Sequence, residues 1–260
     1  MDLITYIFAG ASVGFIIGLT GVGGGSLMTP LLILFGFPYH TAIGTDLLYA
    51  AFTKAGGVAV HAKKKHINWK VSGVLAAGSL PAAVFTIFVL KSYFPDPSAY
   101  EKLLTSSLGV MLILTSLVLL SNKYLRTKQD KPKGWIGTFL NNHPSPITFV
   151  MGIVLGVLVT LSSVGAGAIG TAILLILYPY LRSIEIVGTD LAHAVPLTLV
   201  AGIGHFFLGN VDLMLLGSLL IGSLPAIYVG AHAGSKLPEK VMQPILAIML
   251  LGLGIRFSFF

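Results

Sequence analysis

Residues 18–30 read GLTGVGGGSLMTP. Four of the five positions from 21 to 25 are glycine, and they separate two apolar runs. Backbone this bare suits a phosphate cradle, a tight turn or a break in a membrane helix. The surroundings decide among them. Of 260 residues, 55% are hydrophobic and only 10% are charged, whereas soluble domains carry about 25% charged residues. That leaves too little polar side chain to cover a water-facing surface. Apolar runs recur along the chain, which reads as an all-α polytopic membrane protein. GVGGG lacks the Lys-Ser/Thr of a P-loop and follows a membrane span rather than a soluble strand, which removes the nucleotide-binding readings. The first run ends in LTGVGGG with no A-x-A cleavage site, so it reads as a span and not a removed signal peptide.

Ten apolar segments can be drawn: 3–19, 26–37, 42–61, 71–90, 102–121, 147–163, 168–180, 186–207, 212–232 and 240–258. The second and seventh fall short of the ~20 residues a crossing needs. They read as half-helices or tilted pieces buried among neighbours. No soluble domain fits between the segments. The two halves resemble each other. GTDL stands at 44–47 and at 188–191, GSLPA at 78–82 and at 222–226, and both pairs are 144 residues apart. The same offset places His61 on His205 and Gly73 on Gly217. The glycine-rich stretch returns more loosely as SSVGAGAIG at 162–170. This period points to a duplicated helix bundle of the transporter type. We divide the chain into a first repeat, residues 1–121, a basic linker, 122–146, and a second repeat, 147–260.

Five segments per half is an odd number, so the second repeat is expected to be inverted. Charge agrees. The loop after the third segment carries Lys63, Lys64, Lys65 and Lys70, and the linker carries Lys123, Arg126, Lys128, Lys131 and Lys133. Two crossings separate these loops, and the positive-inside rule puts both in the cytoplasm. The equivalent loop of the second half, FFLGNVD, has no Lys or Arg, as a loop facing out requires. Both termini then lie outside. An eight-span arrangement with re-entrant short segments makes the halves parallel and leaves more cations outside. The formal charge of +7 belongs to these loops rather than to nucleic-acid binding.

Three roles remain open for the glycines: close helix packing, a hinge, or a broken helix whose next half-helix aims its N-terminus at an anion. The last would use the backbone of Gly23, Gly24, Gly25 and Ser26. In the second half it would use Ser162, Ser163, Gly165 and Gly167. Lys54 sits within the third segment, where a mid-membrane lysine costs roughly 3 kcal/mol. It either neutralises Asp46 or snorkels, or it serves an anion site or gate. Its duplicated position is Thr198. Asp46 and Asp190 share the GTDL motif and read either as helix caps or locally paired groups, or as groups coupling transport to protons or coordinating a cation. Thr45 and Thr189 read as caps. His61 and His205 read as interfacial anchors or coupling groups, since histidine titrates near pH 6.5. Pro81 and Pro225 are duplicated and suggest a shared bend. No catalytic constellation emerges. There is no H-E-x-x-H, Asp96, Glu101, Asp130 and Glu239 are isolated loop acids, and cysteine is absent. No enzyme activity, metal site or cofactor is expected.

The pattern GLTGVGGGSLMTPLLILFG, then GTDL, then KKK–INW–GSLPA, resembles the TauE/SafE family of sulfite exporters along essentially the whole chain. The resemblance implies a polytopic carrier of small sulfur oxyanions: sulfite, thiosulfate, sulfoacetate and related sulfonates. The family's glycine motifs fall on Gly21, Gly23, Gly24 and Gly25, and on Gly165 and Gly167, with alanines replacing part of the second run. The expectation is therefore a secondary transporter of a small sulfur-containing anion in the cell membrane, with no ATP site. Its partners are the anion, lipid and a coupling ion. A carrier or channel for another small anion such as a carboxylate, or a cation carrier using the two aspartates, is the alternative.

Overall fold

Each of the ten apolar segments becomes a helix. The structure is a computed structural model, and it describes residues 3–20, 25–94, 96–127, 142–234 and 239–259. The helices are α1 (Leu3–Thr20), α2 (Gly25–Leu34), α3 (Tyr39–Lys63), α4 (Trp69–Tyr93), α5 (Glu101–Thr127), α6 (Pro144–Ser162), α7 (Ala168–Leu177), α8 (Ser183–Phe207), α9 (Leu213–Gly234) and α10 (Glu239–Phe259). A 3-10 turn, Pro97–Tyr100, leads into α5. No strand occurs among the described residues. Five helices there are both long and apolar enough to cross a bilayer: α4, α5 with the turn before it, α6, α8 and α9. α3 is as long as α8, at 25 residues, but it carries His40, Asp46, Lys54, His61 and Lys63.

The short segments are shorter than drawn. α2 and α7 have 10 residues each, about 15 Å of helix. Apolar residues continue past their ends into turns, through Gly36 with φ +87° after α2 and through Tyr178–Leu181 after α7.

Packing interleaves the halves. α1 lies against α9, and α6 lies against α4. α3 crosses α8, and α5 runs along α10. Exchanging the halves maps this pairing onto itself. Glycines set the two outer crossings. A Cβ on Gly10 or Gly14 would come within 2.8 or 2.6 Å of the Cα atoms of Leu219 or Ser223 on α9. A Cβ on Gly152 would meet the Leu75 carbonyl at 2.5 Å, and one on Gly156 would meet the Ser79 Cα at 2.8 Å. Leu75 and Ser79 are the duplicated counterparts of Leu219 and Ser223. Close backbone approach through small residues is how membrane helices associate without a hydrophobic driving force.

Each half-helix is thus embedded in both repeats. Met28 and Leu32 of α2 pack with Ala9 and Val13 of α1 and with Leu215 and Leu219 of α9. Leu174 and Leu177 of α7 pack with Leu155 of α6 and with Val71 and Leu75 of α4. Large apolar side chains such as Phe8, Phe85, Phe88, Ile221 and Ile248 are exposed on the outside, as a lipid-facing surface requires.

Candidate functional site

The two GTDL motifs lie two turns into α3 and α8, and their first three residues divide the work identically. Gly44 admits the Asn210 carbonyl of the α8–α9 loop, and Gly188 admits the His66 carbonyl of the α3–α4 loop. Thr45 Oγ1 accepts the backbone N–H of Asp212 at 3.2 Å, and Thr189 Oγ1 accepts that of Asn68 at 2.9 Å. Asp212 and Asn68 in turn accept from Leu215 N and Val71 N, at the starts of α9 and α4. The threonines are therefore not caps of their own helices. Each ties its helix to the capping residue of the other repeat's fourth helix.

The aspartates turn inward to their own half-helices. Asp46 Oδ2 accepts from Thr29 Oγ1 of α2 at 2.5 Å, and Asp190 Oδ2 accepts from Thr171 Oγ1 of α7 at 3.0 Å. Both carboxylates are buried, with 0% and 2% of the residue exposed. Neither is a helix cap. Asp46 Oδ2 also accepts from Ser163 Oγ at 3.0 Å. The second oxygen of each carboxylate, Oδ1, is buried without a hydrogen-bond partner. A Cβ on Gly170 would overlap Asp190 Oδ1, so glycine is what lets α7 pass this close.

The break between α6 and α7 is visible in full. α6 ends at Ser162, Ser163 is left-handed at φ +60°, and Gly165 and Gly167 follow at φ +108° and +139°. A φ of +139° is open to glycine and almost closed to other residues. The break supplies acceptors for the first turn of α7: the Gly165 carbonyl accepts from the N–H groups of Ile169 and Gly170 at 3.2 and 3.3 Å, and the Gly167 carbonyl accepts from that of Thr171 at 3.2 Å. Lys54 reaches across to this break and donates from Nζ to the Ala166 carbonyl at 2.7 Å. It is 5% exposed. The carboxylates acting on its charge are Asp190 and Asp46, yet its hydrogen bond goes to the carbonyl.

The structure thus brings together Lys54, Asp46, Asp190, Ser163, Gly165 and Gly167. Ser162 stays with its own segment, donating to the Leu158 carbonyl at 2.7 Å and accepting from Val164 N at 3.2 Å. Gly25 and Ser26 open α2, while Gly21, Gly23 and Gly24 lie outside the described residues. His61 and His205 sit near the ends of α3 and α8, each packed against the glycine of the other GTDL motif: a Cβ on Gly188 would come within 2.8 Å of His61 Nδ1, and one on Gly44 within 3.1 Å of His205 Cβ. His205 is fully buried, with Nε2 2.9 Å from the Thr160 carbonyl and Nδ1 3.0 Å from Asn210 Nδ2. His61 stacks edge-on to His66, with ring centroids 5.8 Å apart. The sequence alone assigns no site role to Thr29, Thr171, the Ala166 carbonyl or His193, whose Nε2 lies 2.8 Å from Ser79 Oγ. One signal was present for the threonines: a hydroxyl early in each half-helix, in GSLMT and AIGT.

Apolar helices enclosing buried ionisable groups at a helix break define a multi-pass membrane transporter. Comparison with known proteins narrows this. The chain belongs to the Sulfite exporter TauE/SafE family, whose model matches residues 6–257. It is 36% identical over 253 residues to "Probable membrane transporter protein YjnA" of Bacillus subtilis, covering 97% of this chain and 98% of that one. It is 30% identical over 236 residues to "Probable membrane transporter protein YdhB" of the same organism, covering 88% and 89%. A "Probable membrane transporter protein" of Methanocaldococcus jannaschii is 28% identical over 260 residues, covering 92% and 88%. No solved structure matches the chain significantly.

Proposed function

We propose that the protein is a secondary transporter of a small sulfur-containing anion, such as sulfite, thiosulfate or an organosulfonate, in the cell membrane. The observation that carries this reading is Lys54, buried and held against the non-helical turn between α6 and α7. An oxyanion leaving water needs a compensating positive charge, hydroxyls and N–H donors. Lys54 and Ser163 supply the charge and a hydroxyl at the break, and the positive end of the α7 helix dipole follows directly. Gly23, Gly24, Gly25 and Ser26 are proposed to supply the corresponding donors before α2. The family's description as sulfite exporters supports the substrate class.

The carboxylates bear on coupling. If Asp46 and Asp190 are both ionised, the three charged side chains sum to −1, and an anion arriving there meets net repulsion in a low-dielectric site. We therefore assign Asp46 and Asp190 the coupling proton: the anion enters when a carboxylate is neutral. His61 and His205, at the ends of α3 and α8, are assigned to gating. Repeats 1–121 and 147–260, joined by the linker 122–146, are proposed to run inverted in the bilayer and to alternate access by rocking about the α3–α8 crossing.

One observation favours a second reading. The unpaired Oδ1 atoms of Asp46 and Asp190 are what a cation carrier would use. Counterflow in proteoliposomes separates the readings. Vesicles preloaded with unlabelled thiosulfate should accumulate labelled thiosulfate transiently against its gradient, with sulfite and sulfoacetate competing and acetate not. Anion flux without counterflow would make the protein a channel. Counterflow of a metal cation, and of no anion, would establish the cation reading instead.

A further inference from the structure

We infer that His193 is a ligand of the transported anion, working as the partner of Lys54. The inference rests on the anion reading above and adds a residue to it. His193 lies on α8 three residues after Asp190, hence on the same side of the helix. It is 0% exposed. Its Nε2 is 2.8 Å from Ser79 Oγ on α4, while Nδ1 is buried with no hydrogen-bond partner. The charge of Lys54 acts on this ring as it does on Asp190 and Asp46. Lys54 is the charged side chain that bears on the ring.

The Ser79 contact sets which nitrogen carries the proton. Ser79 Oγ makes no other hydrogen bond among the described residues. If Nε2–H donated to Ser79, the serine hydroxyl proton would be left buried and unused. With Ser79 donating into Nε2, the hydroxyl is satisfied and the ring hydrogen sits on Nδ1. The unpartnered nitrogen is then a neutral N–H donor within range of the Lys54 charge. That combination accepts an anion, and it does so without a second full charge in the membrane.

The duplication supports one such place rather than two. The carboxylates occur in both repeats, but the basic groups do not. Lys54 corresponds to Thr198, and His193 corresponds to Tyr49. Tyr49 lies beside Ser223, the counterpart of Ser79, without a well-formed hydrogen bond. Each half thus contributes one basic residue where the other half has a neutral one. A pair built from opposite repeats is suited to a ligand gripped by both.

The test uses the purified full chain and calorimetric titration with thiosulfate, sulfite and sulfoacetate, with thermal melting as the check on folding. A glutamine amide reproduces Nε2 and an asparagine amide reproduces Nδ1. His193→Gln keeps the Ser79 contact and removes the free donor, and it should weaken binding at least tenfold. His193→Asn keeps the donor and loses the Ser79 contact, and it should weaken binding less while lowering the melting temperature more. Wild-type affinity in His193→Gln, or the opposite order of the two variants, would assign His193 to structure alone. Should both variants fail to fold, Ser79→Ala is measured instead, because it removes the ring's anchor and leaves the imidazole. Weaker binding is expected, and unchanged binding overturns the proposal. If Lys54→Met abolishes binding while His193→Gln does not, the anion reading stands and His193 falls. If the wild type binds none of the three anions, both fall.

Discussion

Two turns of α3 separate Asp46 from Lys54, and the two groups answer to different parts of the chain: the aspartate to α2 and Ser163, the lysine to Ala166. Lys54→Met should therefore do two things. It unpairs a carbonyl in the α6–α7 break, and it removes the cation an oxyanion needs. Folded protein should remain in the membrane without anion binding. Adding Asp46→Asn should not restore transport in vesicle uptake assays. Recovery in the double variant would show that Lys54 only balances Asp46. The threonines of GTDL give a stability prediction. Thr189→Val strands the half-buried Asn68 N–H, and losing a hydrogen bond of this kind costs about 0.5–1.5 kcal/mol. A lowered melting temperature with unchanged substrate selectivity is expected. The ionisable residues were legible in the sequence because the membrane makes them rare and expensive. Thr29, Thr171 and Ser79 were not. A hydroxyl can satisfy itself on its own helix, as Thr86 and Thr160 do on the carbonyls four residues before them, so its presence marks nothing. His193 shares no helical track with His205, and its partner Ser79 lies on another helix, so spacing alone assigns it no role.

At the scale of the helix, glycine has two separate uses here, and mutagenesis can tell them apart. Gly156 is a contact surface: a methyl group there would press on the Ser79 backbone. Overpacking of this kind costs about 1–3 kcal/mol. Gly73, on the same pair of helices, has open space around it. Gly73→Ala should be neutral or stabilise the helix by about 0.5–1 kcal/mol. Thermal melting should therefore fall for Gly156→Ala and hold or rise for Gly73→Ala, and equal shifts would contradict the packing described. Gly165 and Gly167 serve backbone conformation instead, which is one of the uses the sequence left open for its glycine-rich stretches. Their positions were readable, but the ends of α2 and α7 were not. Phe35, Phe37, Tyr178 and Tyr180 carry apolar character beyond Leu34 and Leu177, and hydropathy cannot distinguish an apolar turn from a helix.

Across the whole molecule, the orientation proposed for the two repeats makes a direct prediction. The cysteine-free sequence gives a clean background for single probes. Lys64→Cys and Phe207→Cys mark the ends of α3 and α8, and both positions are exposed. Asn210, in the same loop, is buried against Tyr100 and His205 and would report poorly. A membrane-impermeant thiol reagent should label Phe207→Cys in intact cells and Lys64→Cys only after the membrane is opened. Labelling of both from one side would leave the repeats parallel. The duplication could be read from GTDL and GSLPA, but the way the halves interleave could not. Periodicity says which residues repeat, and only the packing of Gly10 on Leu219 and Gly152 on Leu75 says which copy each one meets.

That interleaving fixes an order of events during synthesis. The ribosome delivers α1 first, yet the surface that fills its glycine groove, α9, is nearly the last to emerge. Asp46 enters the membrane before Ser163 has been made, and Lys54 before Ala166. Until α6 and α7 arrive, the nascent first half holds a carboxylate and an ammonium in or near lipid with only Thr29 to serve them. Such a chain has reason to linger beside the insertion machinery, where water and protein surfaces remain at hand, and to leave it only when the second half can close over the first. A chain stalled at the linker would present bare glycine grooves and unpaired charge together, which are the marks by which membrane quality control can tell an unfinished molecule from a complete one.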